Sequence, residues 1–209
     1  LDFQANHDPL TDLKNRRGVL QAMTAVLAHP PRTGTNLGVL YCDLDGFKQI
    51  NDEHGHAAGD EVLIEVGRRI RRCVRNGDTV GRLGGDEFGI LLAGCPLEKA
   101  RQIADDVVRA VADYRFVWKD KIFNIGVSIG LVEVSRESGS LEDLISAADS
   151  ACYVAKQQGG HVHVYSARDE AVARSRGEIH WLQQLQSALK DGRFELYSQP
   201  ILAVDPEQT

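Results

Sequence analysis

Hydrophobic positions along this chain recur in two rhythms, one helical and one stranded. After a turn at Asp8-Pro9, Leu20, Met23 and Leu27 share one helical face. Residues 30–36, PPRTGTN, read as a loop. Residues 37–45, LGVLYCDLD, form a short apolar run that ends in acid, as a buried strand ending at a site would. Helical spacing returns with Val62, Leu63, Val66, Ile70 and Val74 over residues 59–75, and Arg68, Arg69, Arg72 and Arg75 take the opposite face. Val80 and Leu83 then precede, and Phe88, Ile90, Leu91 and Leu92 follow, a Gly84-Gly85 step, which predicts a β-hairpin. Leu97, Ala100, Ile103, Ala104, Val107 and Val111 mark a further helix. Ile125, Val127, Ile129 and Leu131 alternate strictly, as in a strand. Ser140 and Asp143 open a helix in the manner of a capping box, and Gly159-Gly160 stops it. Residues 161–165, HVHVY, are a last short strand. This order predicts an α+β domain with an antiparallel-rich central sheet and flanking helices.

Composition narrows the function classes. With 43% hydrophobic residues, the 209 residues can build one full domain and something short besides. A formal net charge of -6 argues against a general nucleic-acid binder, so an anionic ligand must meet a local basic patch. The 4 cysteines, Cys42, Cys73, Cys95 and Cys152, lie scattered in apolar contexts without CxxC spacing, and the expected setting is a reducing cytoplasm. No stretch has the length and apolarity to span a bilayer, and none resembles a signal peptide. Met23 is the sole methionine, so the chain is expected to be cut from a longer protein.

The candidate chemistry gathers where apolar runs end. Asp43 closes the first strand, and Asp86 and Glu87 follow the glycine pair. If those strands are neighbours, Asp43 and Asp86 reach one edge of the sheet. Hard oxygens at one point suit Mg²⁺, which keeps several waters and takes substrate phosphates as further ligands. Gly84 and Gly85 lack a Cβ and so let the backbone approach a phosphate. The plain structural reading of the same residues is a hairpin turn.

Residues 84–88, GGDEF, resemble the signature of the GGDEF family of bacterial diguanylate cyclase domains. Other stretches resemble that family in order and spacing: DPLTDLKNRR at 8–17, DLDGFKQIND at 43–52, HGHAAGDEVL at 54–63, SIG at 128–130, and the run ending CYVAK at Lys156. The resemblance covers roughly Asp8 to Tyr165. It implies a palm-like fold similar to nucleotidyl cyclases and polymerases. It also implies a reaction in which two GTP molecules become cyclic di-GMP with loss of pyrophosphate, each 3′-hydroxyl attacking the other nucleotide's α-phosphate.

By family position, Asp43, Asp86 and the backbone carbonyl of Leu44 hold Mg²⁺, with Mn²⁺ as a substitute. Asp86 is the usual proton acceptor, Glu87 shares either role, and Lys48 faces the developing phosphate charge. Asn51 and Asp60 match guanine in type, because a carboxylate can accept from N1 and N2 while an amide both donates and accepts. The resemblance makes them the base-reading pair, with Phe47, His56, Gly84 and Gly85 also at the substrate. The plain reading of Asp60 is a helix N-cap. Lys156 serves the terminal phosphates. Where the family often has an arginine shortly after that lysine, this chain has Gly160, which is expected to weaken GTP affinity more than chemistry. Arg75 and Asp78, in RNGD, occupy the family's RxxD position, where product cyclic di-GMP binds and inhibits. Their plain reading is a surface ion pair worth little.

The resemblance places this domain at residues 1–167. A linker helix follows over 168–192, with Ile179, Leu182, Leu185 and Leu189 at helical spacing. Residues 193–209, with FELYSQPILAV, resemble the first strand of an EAL phosphodiesterase domain, Ser198 replacing the usual tyrosine. The expected partners are GTP, cyclic di-GMP, a second copy for catalysis, an attached EAL domain and an upstream sensor, with no nucleic acid. The alternative reading is a catalytically weak GGDEF module that binds GTP or cyclic di-GMP and regulates the EAL domain.

Overall fold

The structure is a computed structural model that describes residues 5–28, 37–119, 121–134, 140–159 and 161–166. All of these lie in the first of two compact units, Leu1–Ala173. The expected linker helix and EAL strand, the PPRTGTN loop and Gly160 lie outside the described residues.

The described elements are α1 (Arg16–Ala28), β1 (Leu37–Asp45), α2 (Phe47–His54), α3 (His56–Cys73), β2 (Thr79–Gly84), β3 (Glu87–Ala93), α4 (Leu97–Ala112), β4 (Arg115–Trp118), β5 (Lys121–Asn124), β6 (Gly126–Val134), α5 (Leu141–Gln157) and β7 (His161–Val164). A five-stranded sheet runs β2-β3-β1-β6-β7. β1 is central and pairs antiparallel with both β3 and β6, while β6 and β7 pair in parallel. The expected antiparallel-rich α+β sheet is present.

Both sheet faces are covered, which explains why β1 reads as a continuous apolar run rather than an alternating one. Leu40, Cys42, Leu44, Phe88, Ile90, Ile129 and Leu131 pack with Val62, Val66 and Ile70 of α3 and Val107 and Val111 of α4. On the other face Val39, Tyr41, Leu91, Val132 and Val134 pack with Val19 and Met23 of α1 and Leu144, Ala148 and Cys152 of α5. Of the alternating set expected inward, Val127, Ile129 and Leu131 are buried within β6 and Ile125 is buried just before it, and the intervening Ser128, Gly130 and Val132 are buried too, under α5.

Several boundaries differ from the sequence expectation. The helix read as starting at Gly59 begins at His56, capped by Gly55 at φ 83. Asp60 therefore lies inside α3 and is not an N-cap. A separate helix, α2, fills residues read only as a motif, because Gly46 (φ 77) and Gly55 break the backbone on either side of it. A small hairpin, β4–β5, forms apart from the main sheet and takes Phe123 and Asn124 out of the strand predicted there. Arg69 is not on a free polar face. It stacks over Tyr114 at 4.6 Å, pairs with Glu65 at 3.0 Å and donates to the Ala110 carbonyl at 3.0 Å, joining α3 to α4. The capping box of α5 is present: Ser140 Oγ accepts from the Asp143 N–H, and Asp143 accepts from the Ser140 N–H. Gly159 ends that helix at φ 95.

Candidate active site

The site is built where the C-terminal end of β1 lies beside the start of β3. Asp43 lies directly opposite Glu87 in the ladder, so both side chains leave the sheet on the α1–α5 face. Gly85 and Asp86 form the two-residue turn between Gly84 and Glu87, and Gly85 has φ 41, a region that favours glycine at this point of a tight hairpin. The Leu44 N–H donates to the Asp86 carbonyl at 3.2 Å, which ties the turn to the end of β1. A Cβ at Gly84 would meet only a Glu87 oxygen, at 3.8 Å, and one at Gly85 would meet nothing within 4 Å. Packing does not demand glycine at 84. Its backbone is simply left open.

Lys156 comes to these carboxylates from the last turn of α5, its Nζ 2.6 Å from Asp43 Oδ1. Burial pushes the Asp43 carboxyl up, the charges of Asp86 and Glu87 push the same way, and Lys156 opposes them. Burial would lower Lys156, but the Asp43 hydrogen bond and charge outweigh it and hold the ammonium above its usual range. The ammonium shows that a cation is accepted at Asp43. Among the described residues no three His, Cys, Asp or Glu side chains converge into a cage that could hold a metal alone. A site with so few protein ligands fits an ion completed by water and phosphate oxygens.

Glu87 differs from Asp86 in its surroundings. Tyr41 lies two residues before Asp43 on the same face, and burial together with the nearby Glu87 carboxylate drives its phenol far above its ordinary range. Both line a cavity of about 630 Å³ with Arg16, Leu20, Ile145 and Asp149. Burial and then the Glu87 charge raise the Asp149 carboxyl.

The guanine-reading candidates lie on α2 and α3. Asn51 is partly buried, and Asp60 and His56 are exposed. Gly59 brings Asn51 and Phe47 into place: a Cβ there would lie 2.1 Å from Asn51 Oδ1 and 3.1 Å from the Phe47 ring. Phe47, expected at the substrate, is 8% exposed and belongs to the core. Lys48 is exposed at the start of α2, where no side chain caps the helix.

The RxxD turn holds the ion pair that the plain reading anticipated. Arg75 Nε donates to Asp78 Oδ1 at 3.2 Å, and the Arg75 N–H to Asp78 Oδ2 at 3.3 Å. The Asp78 side chain is 2% exposed and that of Arg75 63%. Asp78 thus organises the turn from inside, while Arg75 faces outward and also donates to the Ala93 carbonyl. Arg71, which the sequence did not single out, donates to the carbonyls of Arg75 at 3.1 Å and Asp78 at 3.2 Å.

Arg82 was also missed. Its guanidinium donates twice to the Gly85 carbonyl, at 2.9 and 2.8 Å, and reaches Asp8 at 3.2 Å. Asp8 in turn accepts from the Thr11 N–H and hydroxyl at 2.9 and 2.7 Å. Burial works against the Asp8 charge, but the Thr11 bonds and Arg82 prevail and hold the carboxyl below its usual range. Lys14 adds backbone bonds to Val80 and Arg82 along the edge of β2. The DPLTDLKNRR stretch is therefore a strap that fixes the hairpin carrying Asp86. An arginine between the apolar residues Val80 and Leu83 of β2 was the one sequence signal for it.

Residues 5–161 match the family described as "Diguanylate cyclase, GGDEF domain". The chain belongs to this GGDEF family. It is 38% identical over 180 residues to the probable diguanylate cyclase DgcE of Escherichia coli, covering 86% of this chain and 16% of that protein. It is 32% identical over 202 residues to the cyclic di-GMP phosphodiesterase PdeB of Shewanella oneidensis, covering 96% of this chain and 23% of that protein. The chain thus spans less than a quarter of either relative's length. A structure comprising only the GGDEF domain of TpbB from Pseudomonas aeruginosa superposes with a TM-score of 0.75 at 34% identity, over 80% of this chain and 99% of that one.

Proposed function

We propose that this domain condenses two GTP molecules into cyclic di-GMP and pyrophosphate, as a diguanylate cyclase. The observation that carries the reading is the meeting of Asp43, Glu87 and the Asp86 turn at one sheet edge, with a lysine cation already drawn to Asp43. Mg²⁺, for which Mn²⁺ can substitute, would be held by Asp43, Asp86 and the Leu44 carbonyl and would neutralise phosphate charge. Lys48 and Lys156 bring further positive charge to the phosphates, so the leaving pyrophosphate departs against cations. Asp60 accepts from guanine N1 and N2 and Asn51 completes the base edge, which fixes the nucleotide before reaction. We assign the acceptance of the 3′-hydroxyl proton to Asp86, which sits in the hairpin turn, whereas Glu87 lies in the ladder opposite Asp43 and lines the cavity with Tyr41.

One domain holds one GTP, so the reaction needs two copies face to face. The exposed Arg75 fork and the turn around Asp78 form the product site, where cyclic di-GMP binds and keeps two domains from meeting. Residues 193–209 resemble the start of an EAL domain, and an EAL domain and an upstream sensor would be this domain's partners in a longer protein. The GTP substrate and the free cysteines, three of them buried, fit a cytoplasmic location; among the described residues no helix is long and apolar enough to cross a membrane.

A second reading, a GTP- or cyclic di-GMP-binding module that regulates the EAL domain, is favoured by the likeness to PdeB, a protein named for phosphodiesterase activity. Supplying the full chain with GTP and Mg²⁺ separates the two. Cyclic di-GMP formed by the wild type and lost in Asp43→Asn supports the cyclase; nucleotide binding without product supports the module. For the product site, Arg75→Ala is expected to lose tenfold or more in cyclic di-GMP affinity with GTP turnover retained, from about 1.5–3 kcal/mol for a lost charged hydrogen bond. Equal inhibition of both proteins would reduce Arg75 to a structural ion pair.

A further inference from the structure

Ser128 opens the SIG stretch, and nothing in the reaction as described uses it. It is fully buried, a polar side chain in the middle of β6. A buried hydroxyl needs a partner, and Ser128 has an unusual one. Its Oγ lies 3.0 and 3.1 Å from the two carboxylate oxygens of Asp45. Asp45 is the second acid of DLD, two residues beyond Asp43 on the same strand, and so emerges on the same face. Its other side is closed by Gly126, its ladder partner: a Cβ there would lie 3.0 Å from an Asp45 oxygen. Asp45 is thereby fixed in one orientation, although no metal, phosphate or base contact is assigned to it.

The backbone of the same serine fixes the helix above. The Ser128 carbonyl accepts from Cys152 Sγ at 3.1 Å. Two residues on, Gly130 lets α5 settle directly on the strand; a Cβ there would lie 2.0 Å from the Ala148 carbonyl oxygen and 2.3 Å from the Cys152 nitrogen. Cys152 is one helical turn before Lys156, on the same face of α5. The Lys156 ammonium lies against Asp43 and also feels the charge of Asp45. Ser128 thus contacts both the acid that flanks the lysine and the helix that carries it.

We infer that Ser128 and Asp45 act together as positioning residues for Lys156, holding its ammonium at the edge of the site where the nucleotide's phosphates arrive. Were Asp43 to hold a metal, Lys156 would have to stay near the site without that partner to meet a phosphate. Asp45, anchored by a buried hydroxyl and unable to swing away, supplies the charge that keeps it there. The inference rests on the reading of Lys156 as a phosphate contact.

The test is a double-mutant cycle on the full chain, with 3′-deoxy-GTP and Mg²⁺ as the probe, since that nucleotide binds but lacks the attacking hydroxyl. Lys156→Gln is expected to weaken binding about tenfold, as for one lost charged contact. Ser128→Ala and Asp45→Asn, each in the Lys156 background, are expected to weaken it severalfold. In the Lys156→Gln background the same two substitutions are expected to change nothing further. Equal losses in both backgrounds, or no loss in the first, would show a merely structural serine and overturn the inference. If Lys156→Gln itself binds as the wild type does, the phosphate reading of Lys156 fails first, and the inference with it.

Discussion

Arg82 shows how much of this site depends on single side chains away from the chemistry. Its guanidinium joins the Gly85 carbonyl to the Asp8 carboxylate, and both ion-pair partners are largely shielded, at 17% and 16% exposure. A hydrogen bond to a charged group contributes about 1.5–3 kcal/mol, so Asp8→Asn is expected to lower stability by roughly that much. The pH dependence has a definite sign. The folded carboxyl is held below its usual range, so its contribution is complete above about pH 4, the ordinary aspartate value, and is lost as pH falls through the lowered folded value. Denaturant titrations of wild type and Asp8→Asn are therefore expected to differ by a constant gap from pH 7 to 5, closing below about pH 4. A gap that persists unchanged into strong acid would detach Asp8 from the charge pairing described.

At the scale of elements, glycines decide what reaches the site. Gly59 sits inside α3, where alanine would ordinarily favour the helix by about 1 kcal/mol. The Asn51 amide occupies the space its side chain would take. Gly59→Ala is expected to cost little stability while displacing Asn51, and the preference for GTP over ATP is expected to fall about tenfold, since a buried polar mismatch costs roughly 1–3 kcal/mol. Competition binding of the two nucleotides, with a thermal melt alongside, checks both parts. An unchanged preference would remove Asn51 from base recognition.

The same elements show what the sequence revealed and what it hid. The hairpin, the α5 capping box and the strand that carries Asp43, which runs on to Asp45, were legible, because each rests on local turn chemistry or a strong apolar rhythm. The pairing of Asp43 with Glu87 was not, because register is set by partners far apart in the chain. The helix Phe47–His54 and the break at Gly55 were missed, because these residues read only as a motif and bury just two side chains, Phe47 and Ile50. Asp8, Thr11, Arg82 and Gly85 meet across about seventy residues of sequence, and no periodicity marks such a meeting. Ser128 read as part of a motif, but its bond to Asp45 needed the β1–β6 register.

At the scale of the whole molecule, the proposed reaction requires more than one copy. In that reaction a single domain serves one nucleotide, and two 3′-hydroxyls must reach two α-phosphates. The chain's charge of -6 sets one copy against another, so the proposed pairing would be helped by a tether between domains. A dimeric coiled coil fused before Leu1 would supply that tether. The most direct measurement is the initial rate of cyclic di-GMP formation per subunit, followed over a wide range of protein concentration with GTP and Mg²⁺ saturating. The account predicts a specific activity that rises with concentration and levels off once the domains are paired, with two pyrophosphates released per cyclic di-GMP. Absence of cyclic di-GMP at every concentration, or a constant specific activity from a demonstrated monomer, would contradict it.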